Sequence, residues 1–211
     1  MRYFLSLTFG ILLVTSSLYA QRQISVEEYN KAQSNLASES PKLSKRVQIN
    51  SEQFVKGKLV RATFTTFETI PPNKYHSTIR TEINGKITYD EWITIGESYY
   101  SRKNNGRWTT RGFFTDVAVE PENPLDKRTF TVEDVNYNGE TARYYEQTIY
   151  YADDYNNRSR YYKIGTWINT NQFLLKQEVK EGSSEQEISK HTISTYDYNA
   201  KIKINAPRIG Y

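Results

Sequence analysis

Apolar and polar residues alternate along most of this chain, beginning at about residue 46. Val60, Ala62 and Phe64, for example, are each separated from the next by one polar residue. A period of two is the pattern of a β-strand that buries one face. Short polar turns separate the alternating segments, and Asn84-Gly85 and Asn138-Gly139 favour two-residue hairpins. The pattern predicts about ten strands, the last at 201–205, and a loop at 116–127.

One amphipathic helix precedes these strands. Ser25 and Glu28 fit a capping box, in which a serine and a glutamate three residues later cap the helix start. Apolar side chains then follow at helical spacing, namely Val26, Tyr29, Ala32 and Leu36. The predicted helix spans 26–37. A sheet of about ten strands curls or closes, so we expect a mostly β fold. We expect this fold to be a single curved antiparallel sheet whose N-terminal helix covers one face or mouth.

The first twenty residues have the layout of a secretory signal peptide. Arg2 gives a positive start, Leu5 to Val14 is apolar, and small or polar residues lead to Ala20. The apolar run is shorter than the about 20 residues that a spanning helix needs. We therefore expect cleavage near Ala20, a single domain over 21–211, and a location in the bacterial periplasm or outside the cell.

Composition excludes several classes of function. The chain has no cysteine, which removes disulfides, cysteine nucleophiles and the cysteine that carries a bacterial lipid anchor. The formal net charge is +4, and no basic tract of the kind that nucleic-acid binders carry is present. His76 and His191 have no second histidine or carboxylate at metal-ligand spacing. The sequence thus predicts no metal site, no cofactor and no nucleic-acid partner.

Four segments together resemble the LolA-like family of periplasmic lipoprotein carriers and related lipid-binding half-barrels. The first is the helix followed by the strand at Lys58–Glu68, and the second is Glu91 to Tyr100 followed by Gly106-Arg107-Trp108. The third is the strand–turn–strand from Val135 to Tyr144. The fourth runs from Trp167-Ile168-Asn169 to Pro207. Members of that family usually carry Trp-Ile-Asp where this chain has Trp167-Ile168-Asn169.

This resemblance implies an exported, non-catalytic binder or carrier of a lipid or of a lipoprotein acyl chain. Its partners would be a lipid or acylated protein and a membrane-bound donor or acceptor protein, and the carrier would be a monomer. An apolar cavity lined by aliphatic and aromatic side chains would hold such a ligand. The candidate lining residues are Val60, Ala62, Phe64, Trp92, Ile93, Ile95, Trp108 and Trp167. Trp92 alternates with Ile93 and Ile95, so these residues cannot all face one cavity.

Two other functions stay open at the level of sequence. The same fold could serve as an envelope protein-interaction or sensing module that pairs with a partner at a sheet edge. A hydrolase is the third hypothesis. The sequence contains no Gly-x-Ser-x-Gly, phosphate-binding glycine loop or His-Glu-x-x-His motif, and we predict no catalytic residues.

Overall fold

Over the residues that the structure describes, the fold is a twelve-stranded antiparallel sheet with one helix on it. The structure is a computed structural model that describes residues 21–39, 43–110, 127–151 and 160–209. Helix α1 spans Val26–Glu39. The strands in chain order are β1 Arg22–Gln23, β2 Lys45–Val55, β3 Lys58–Ile70, β4 Lys74–Ile83, β5 Lys86–Ile95, β6 Ser98–Lys103, β7 Thr109–Thr110, β8 Lys127–Tyr137, β9 Glu140–Tyr151, β10 Arg160–Asn169, β11 Leu174–Gly182 and β12 Ile188–Asp197.

The strand order confirms the predicted single antiparallel sheet. It runs β1-β8-β9-β10-β11-β12-β2-β3-β4-β5-β6-β7, so among the described strands β1 and β7 are the two edges and the sheet is open. These edge strands have two residues each, which is too short for a period-two pattern. Asn84 and Gly85 both have positive φ, 49° and 77°, as a two-residue hairpin turn requires.

The predicted final strand at 201–205 is wrong. These residues are not in a strand, although Ile204 is buried. The reason is topological: β12 already pairs with β11 on one side and β2 on the other. It has no free edge, so a segment that follows it cannot add a hairpin partner. Of the predicted loop at 116–127, residues 116–126 lie outside the described residues, as does the signal peptide at 1–20, whereas Lys127 is the first residue of β8.

Helix α1 begins at the predicted cap. The backbone nitrogen of Glu28 donates to Ser25 Oγ at 3.2 Å, which satisfies one of the open donors of the first turn. The second half of the predicted capping box does not form as expected. The Glu28 carboxylate instead binds the Arg22 guanidinium of β1 through two contacts of 2.7 and 3.1 Å. This contact joins the helix start to the edge of the sheet.

The apolar side of α1 packs on one face of strands β8 to β10. Tyr29 lies on Phe130, with ring centroids 4.9 Å apart, and its ring meets Tyr145 edge-on. The buried cluster consists of Ile24, Tyr29, Ala32, Leu36, Phe130, Val132, Tyr145 and Ile168. The face of the sheet that carries this cluster is called the helix face below, and the other is called the opposite face.

Candidate ligand-binding face

The strand register decides which side chains share the helix face. Residues directly opposite each other in neighbouring strands point to the same side, and alternate residues in a strand do so too. Val132 is opposite Tyr145, and Tyr145 is opposite Thr166. Following the register onward through β11 and β12 brings Tyr196 and Val47 to the same face.

The helix face carries no charged side chain over a broad area of strands β12, β2, β3 and β4 and the end of β5. We call this area the uncharged patch. Its side chains are aliphatic, aromatic or hydroxyl-bearing, and most are half-buried. Its members are Val47, Ile49, Ser51, Thr63, Thr65, Phe67, Thr69, Tyr75, Ser77, Ile79, Thr81, Trp92, Thr94, Thr192, Ser194 and Tyr196. Lys45, Arg61, Asp90 and Lys190 lie at its borders.

The hydroxyl groups of the uncharged patch make it compatible with apolar contact. Ser51 Oγ and Thr192 Oγ1 lie 3.0 Å apart and satisfy each other across the strands.

Thr69 Oγ1 is buried and has no hydrogen-bond partner among the described residues. Its cross-strand neighbour on the same face is Lys45, and burial lowers the pKa of the Lys45 amine. One end of the patch therefore has the Lys45 amine at its border, next to the buried Thr69.

The opposite face is charged, and its charges are paired across strands. Arg46 Nε donates to Glu68 at 2.8 Å, and Arg102 Nε donates to Glu91 at 2.6 Å. His76 lies between the two glutamates, with Nδ1 3.2 Å from Glu68 and Nε2 2.9 Å from Glu91. These five side chains form one row across β2 to β6. A row of satisfied ion pairs on half-buried side chains suits a structural, hydrated surface.

A second cluster on the opposite face is centred on Glu178 of β11. His191 Nε2 lies 2.9 Å from the carboxylate, and Lys176 and Lys180 each approach it to 3.2 Å. Burial alone would raise the pKa of Glu178, but hydrogen bonds from His191, Lys176 and Lys180 outweigh it and lower that pKa to about 2. Both histidines of the chain thus lie in cross-strand contacts with glutamate carboxylates.

The candidate lining residues divide between the two faces. Trp92 belongs to the uncharged patch, whereas Ala62, Phe64, Ile93, Ile95 and Trp167 lie on the opposite face. Val60 adjoins the irregular pairing near the β2–β3 turn. Trp108 is outside the strands, and the Arg102 guanidinium lies 4.7 Å from its ring centre. The structure therefore does not bring these eight residues together on one surface.

Sequence reasoning missed most of the uncharged patch. Thr63, Thr65, Ser77 and Thr81 were the polar partners in the alternating pattern, so the period-two rule assigned them to the solvent side. The missing signal was available in the charges. Along β3 and β4, the alternating residues that point to the opposite face include the charged Glu68. The alternating residues that point to the helix face are all hydroxyl-bearing or apolar between the strand ends.

Two clefts occur where β10 meets β11. One has a volume of about 450 Å³ and is lined mainly by polar residues such as Asp134, Arg143 and Asn169. The other, of about 740 Å³, is lined by amides and charged groups around Tyr137 and the stacked pair Phe173 and Tyr198. Their polar linings do not favour an aliphatic ligand, and only Tyr196 is shared with the uncharged patch.

The described part of the chain contains no group of three or more histidine, aspartate or glutamate side chains placed to hold a metal ion. Within the same residues there is no helix with the length and hydropathy needed to cross a bilayer.

Comparison with known proteins gives distant structural similarities. No protein-family profile matches the chain, and no curated protein matches it. A putative outer membrane lipoprotein-sorting protein domain from Vibrio parahaemolyticus aligns at 11% identity and TM-score 0.31, over 82% of this chain and 93% of that one. A DUF1329 family protein from Desulfovibrio piger aligns at 9% identity and TM-score 0.32, over 84% and 94%.

Proposed function

We propose that this protein is an exported, non-catalytic binder or carrier of a hydrophobic ligand, and that the ligand lies on the uncharged patch. The ligand class is a lipid or the acyl chain of a lipoprotein. The observation that carries the proposal is the contrast between two areas of the sheet: charged rows on the opposite face, and only apolar and hydroxyl side chains in the uncharged patch of the helix face. The proposed sites of action are the periplasm or the external medium.

The energetics favour an aliphatic ligand at this patch. Each methylene group moved from water to an apolar surface gains about 0.8 kcal/mol, so a chain of several methylenes needs no specific polar contact. A charged side chain in the same position would oppose binding because it would lose water without gaining a partner. The patch members Ile49, Ile79 and Trp92 supply apolar contact area, and Ser51 and Thr192 already satisfy each other.

The end of the patch at Lys45 and Thr69 suits the polar head of such a ligand. A carboxylate or phosphate there would face the Lys45 amine at the border of the patch. The rest of the patch would then contact the acyl chain. The proposed protein partner is a membrane-bound protein that donates the ligand to this carrier or accepts the ligand from it.

The test compares two neighbouring threonines on opposite faces. Thr65 belongs to the uncharged patch and Thr66 points to the opposite face, and both are half-buried in the middle of β3. Thr65→Arg should weaken binding of a dansyl-labelled fatty acid by at least about tenfold, or about 1.4 kcal/mol, because it places a charge in the patch. Thr66→Arg is the matched control and should bind as the unsubstituted protein does.

Native mass spectrometry of the protein purified from its own envelope without detergent identifies any natural cargo. A stoichiometric lipid or acylated peptide would support the carrier. A clean apo mass, together with no uptake of the dansyl probe, would contradict the proposal and favour the interaction or sensing module. Equal loss of binding in both threonine variants would show that the patch is not the site.

A further inference from the structure

Two neighbouring hairpin turns hold most of the exposed aliphatic side chains of the described residues. Val55 and Leu59 flank the β2–β3 turn and are 58% and 53% exposed, while Ile83 and Ile87 flank the β4–β5 turn at 45% and 41%. Exposed apolar residues scattered singly need no explanation, whereas a group at one place indicates contact with another surface. The other exposed aliphatic side chains, Val26 and Ile209, lie elsewhere in the sequence.

The register places both turns at one end of the sheet. Strands β3 and β4 are paired, and Arg61 of β3 is opposite Ile83 of β4. The β2–β3 hairpin therefore continues about three residues, roughly 10 Å, beyond the level at which the β4–β5 hairpin turns. The two tips form a stepped projection, which we call the hairpin end.

Basic residues accompany the exposed aliphatic side chains. The two turns carry Lys56, Lys58 and Lys86, all exposed, and residues 53–61 and 83–89 contain no acidic residue. Residues 103–107, which end β6 and follow it at the same end of the sheet, add Lys103 and Arg107 and are also free of acids. Glu185 and Glu187 in the β11–β12 turn mark the border on the other side.

We propose that the hairpin end docks on an anionic lipid bilayer. Aliphatic side chains flanked by lysines are the pattern of peripheral membrane attachment: the apolar groups enter the boundary between headgroups and acyl chains, and the lysines face anionic headgroups. Lysine is suited to this position because its aliphatic stem tolerates the apolar boundary while its amine stays in water. Exposed lysines interleaved with exposed aliphatic side chains complement an anionic bilayer, which is the occupant that we propose.

This inference goes beyond ligand binding on the uncharged patch. A docked hairpin end would present one end of the sheet to the bilayer, with the helix face and the opposite face both projecting from it. Docking and ligand binding depend on different residues, so each can fail without the other.

The first experiment measures co-sedimentation with vesicles of phosphatidylglycerol and phosphatidylethanolamine, with pure phosphatidylcholine vesicles as the neutral reference. Mass spectrometry first identifies the N-terminus of the envelope-purified protein. Only protein that lacks the apolar segment from Leu5 to Val14 is used, because that segment could itself bind vesicles. Each lysine near an anionic surface strengthens binding about fivefold, so K56S/K58S should weaken binding roughly 25-fold. The matched control is K201S/K203S, which removes two exposed lysines at the same spacing beyond the distant end of β12.

A second experiment reports insertion at a single position. Because the chain has no cysteine, Leu59→Cys accepts one environment-sensitive fluorophore, and Ile209→Cys gives a matched label at another exposed aliphatic position. Anionic vesicles should shift the emission of the Leu59 label to the blue and leave that of the Ile209 label unchanged.

Absence of vesicle binding by the unsubstituted protein would overturn the proposal, as would equal weakening by both lysine pairs or equal shifts of both labels. Capture of an envelope protein through Leu59 without vesicle binding would also overturn it and assign the hairpin end to a protein partner. K56S/K58S should still take up the dansyl fatty acid, and Thr65→Arg should still bind vesicles, which separates this proposal from that of ligand binding.

Discussion

Gly165, in the middle of β10, shows how one missing side chain organises the opposite face. The Tyr144 ring of the neighbouring strand lies over it, and a Cβ at residue 165 would come within 2.7 Å of Tyr144 Cε2 and 3.2 Å of Trp167. Tyr144 in turn packs against Trp167, with centroids 4.5 Å apart, and donates to Glu146 at 2.6 Å. The glycine therefore leaves the space in which this aromatic pair sits.

Gly165→Ala should destabilise the protein by about 1–3 kcal/mol, because the added methyl group overfills a packed site. Urea unfolding followed by circular dichroism measures the change. The control is the same substitution in a Tyr144→Ala background, where the ring that the methyl would strike is gone. The cost of Gly165→Ala should then fall well below its value in the parent protein. Equal costs in both backgrounds would contradict this packing account.

At the scale of the element, Glu178 ties β11 to β12. Its carboxylate accepts from His191 of β12 and contacts Lys176 and Lys180 of its own strand. The Glu178 side chain is 21% exposed. These bonds lower its pKa from 4.5 to about 2 in the folded state, so they favour the ionised carboxylate. Protonating Glu178 should therefore weaken the attachment of the two strands.

The pH dependence follows from the direction of that shift. A carboxylate whose pKa is depressed by folding stabilises the fold fully above its unfolded pKa, and this contribution disappears as pH falls toward the folded pKa. Each pKa unit corresponds to about 1.4 kcal/mol, so the contribution is about 3 kcal/mol at pH 7. The difference in free energy of unfolding between the parent protein and Glu178→Gln should therefore shrink by more than half as the pH falls from 7 to about 3. A constant difference in urea titrations over that range would refute the assignment.

The elements also show how far the sequence could predict this fold. The Asn-Gly turns, the Ser25 cap and the period-two segments are local signals, and the structure confirms them. Pairing between distant strands is not local. Neither the pairing of β12 with β2 nor the row through His76 has a signature in sequence spacing, because each depends on register. The wrong final strand had the same cause, since its segment alternates correctly but has no free edge to join.

At the scale of the whole molecule, register divides the three tryptophans between the two sides of the sheet. Trp92 lies on the helix face within the uncharged patch. Trp167 lies on the opposite face beneath the Lys176 amine, and Trp108 packs with Arg102, whose side chain is also on the opposite face. The alternation predicted that Trp92 and Ile93 diverge but could not say which side binds a ligand. Intrinsic fluorescence can answer that question.

A fatty acid brominated in the middle of its chain quenches only those indole rings that it contacts at short range. If the ligand lies on the uncharged patch, the probe should quench the parent protein and Trp167→Phe, because both retain Trp92. Quenching should be lost in Trp92→Phe, although its dansyl fatty-acid affinity should fall by no more than a few-fold, since phenylalanine keeps most of the apolar contact. Quenching that survives in Trp92→Phe and disappears in Trp167→Phe would place the ligand on the charged face. That result would require a site among Tyr144, Glu178 and their neighbours, where an aliphatic chain would have to displace water from paired ions.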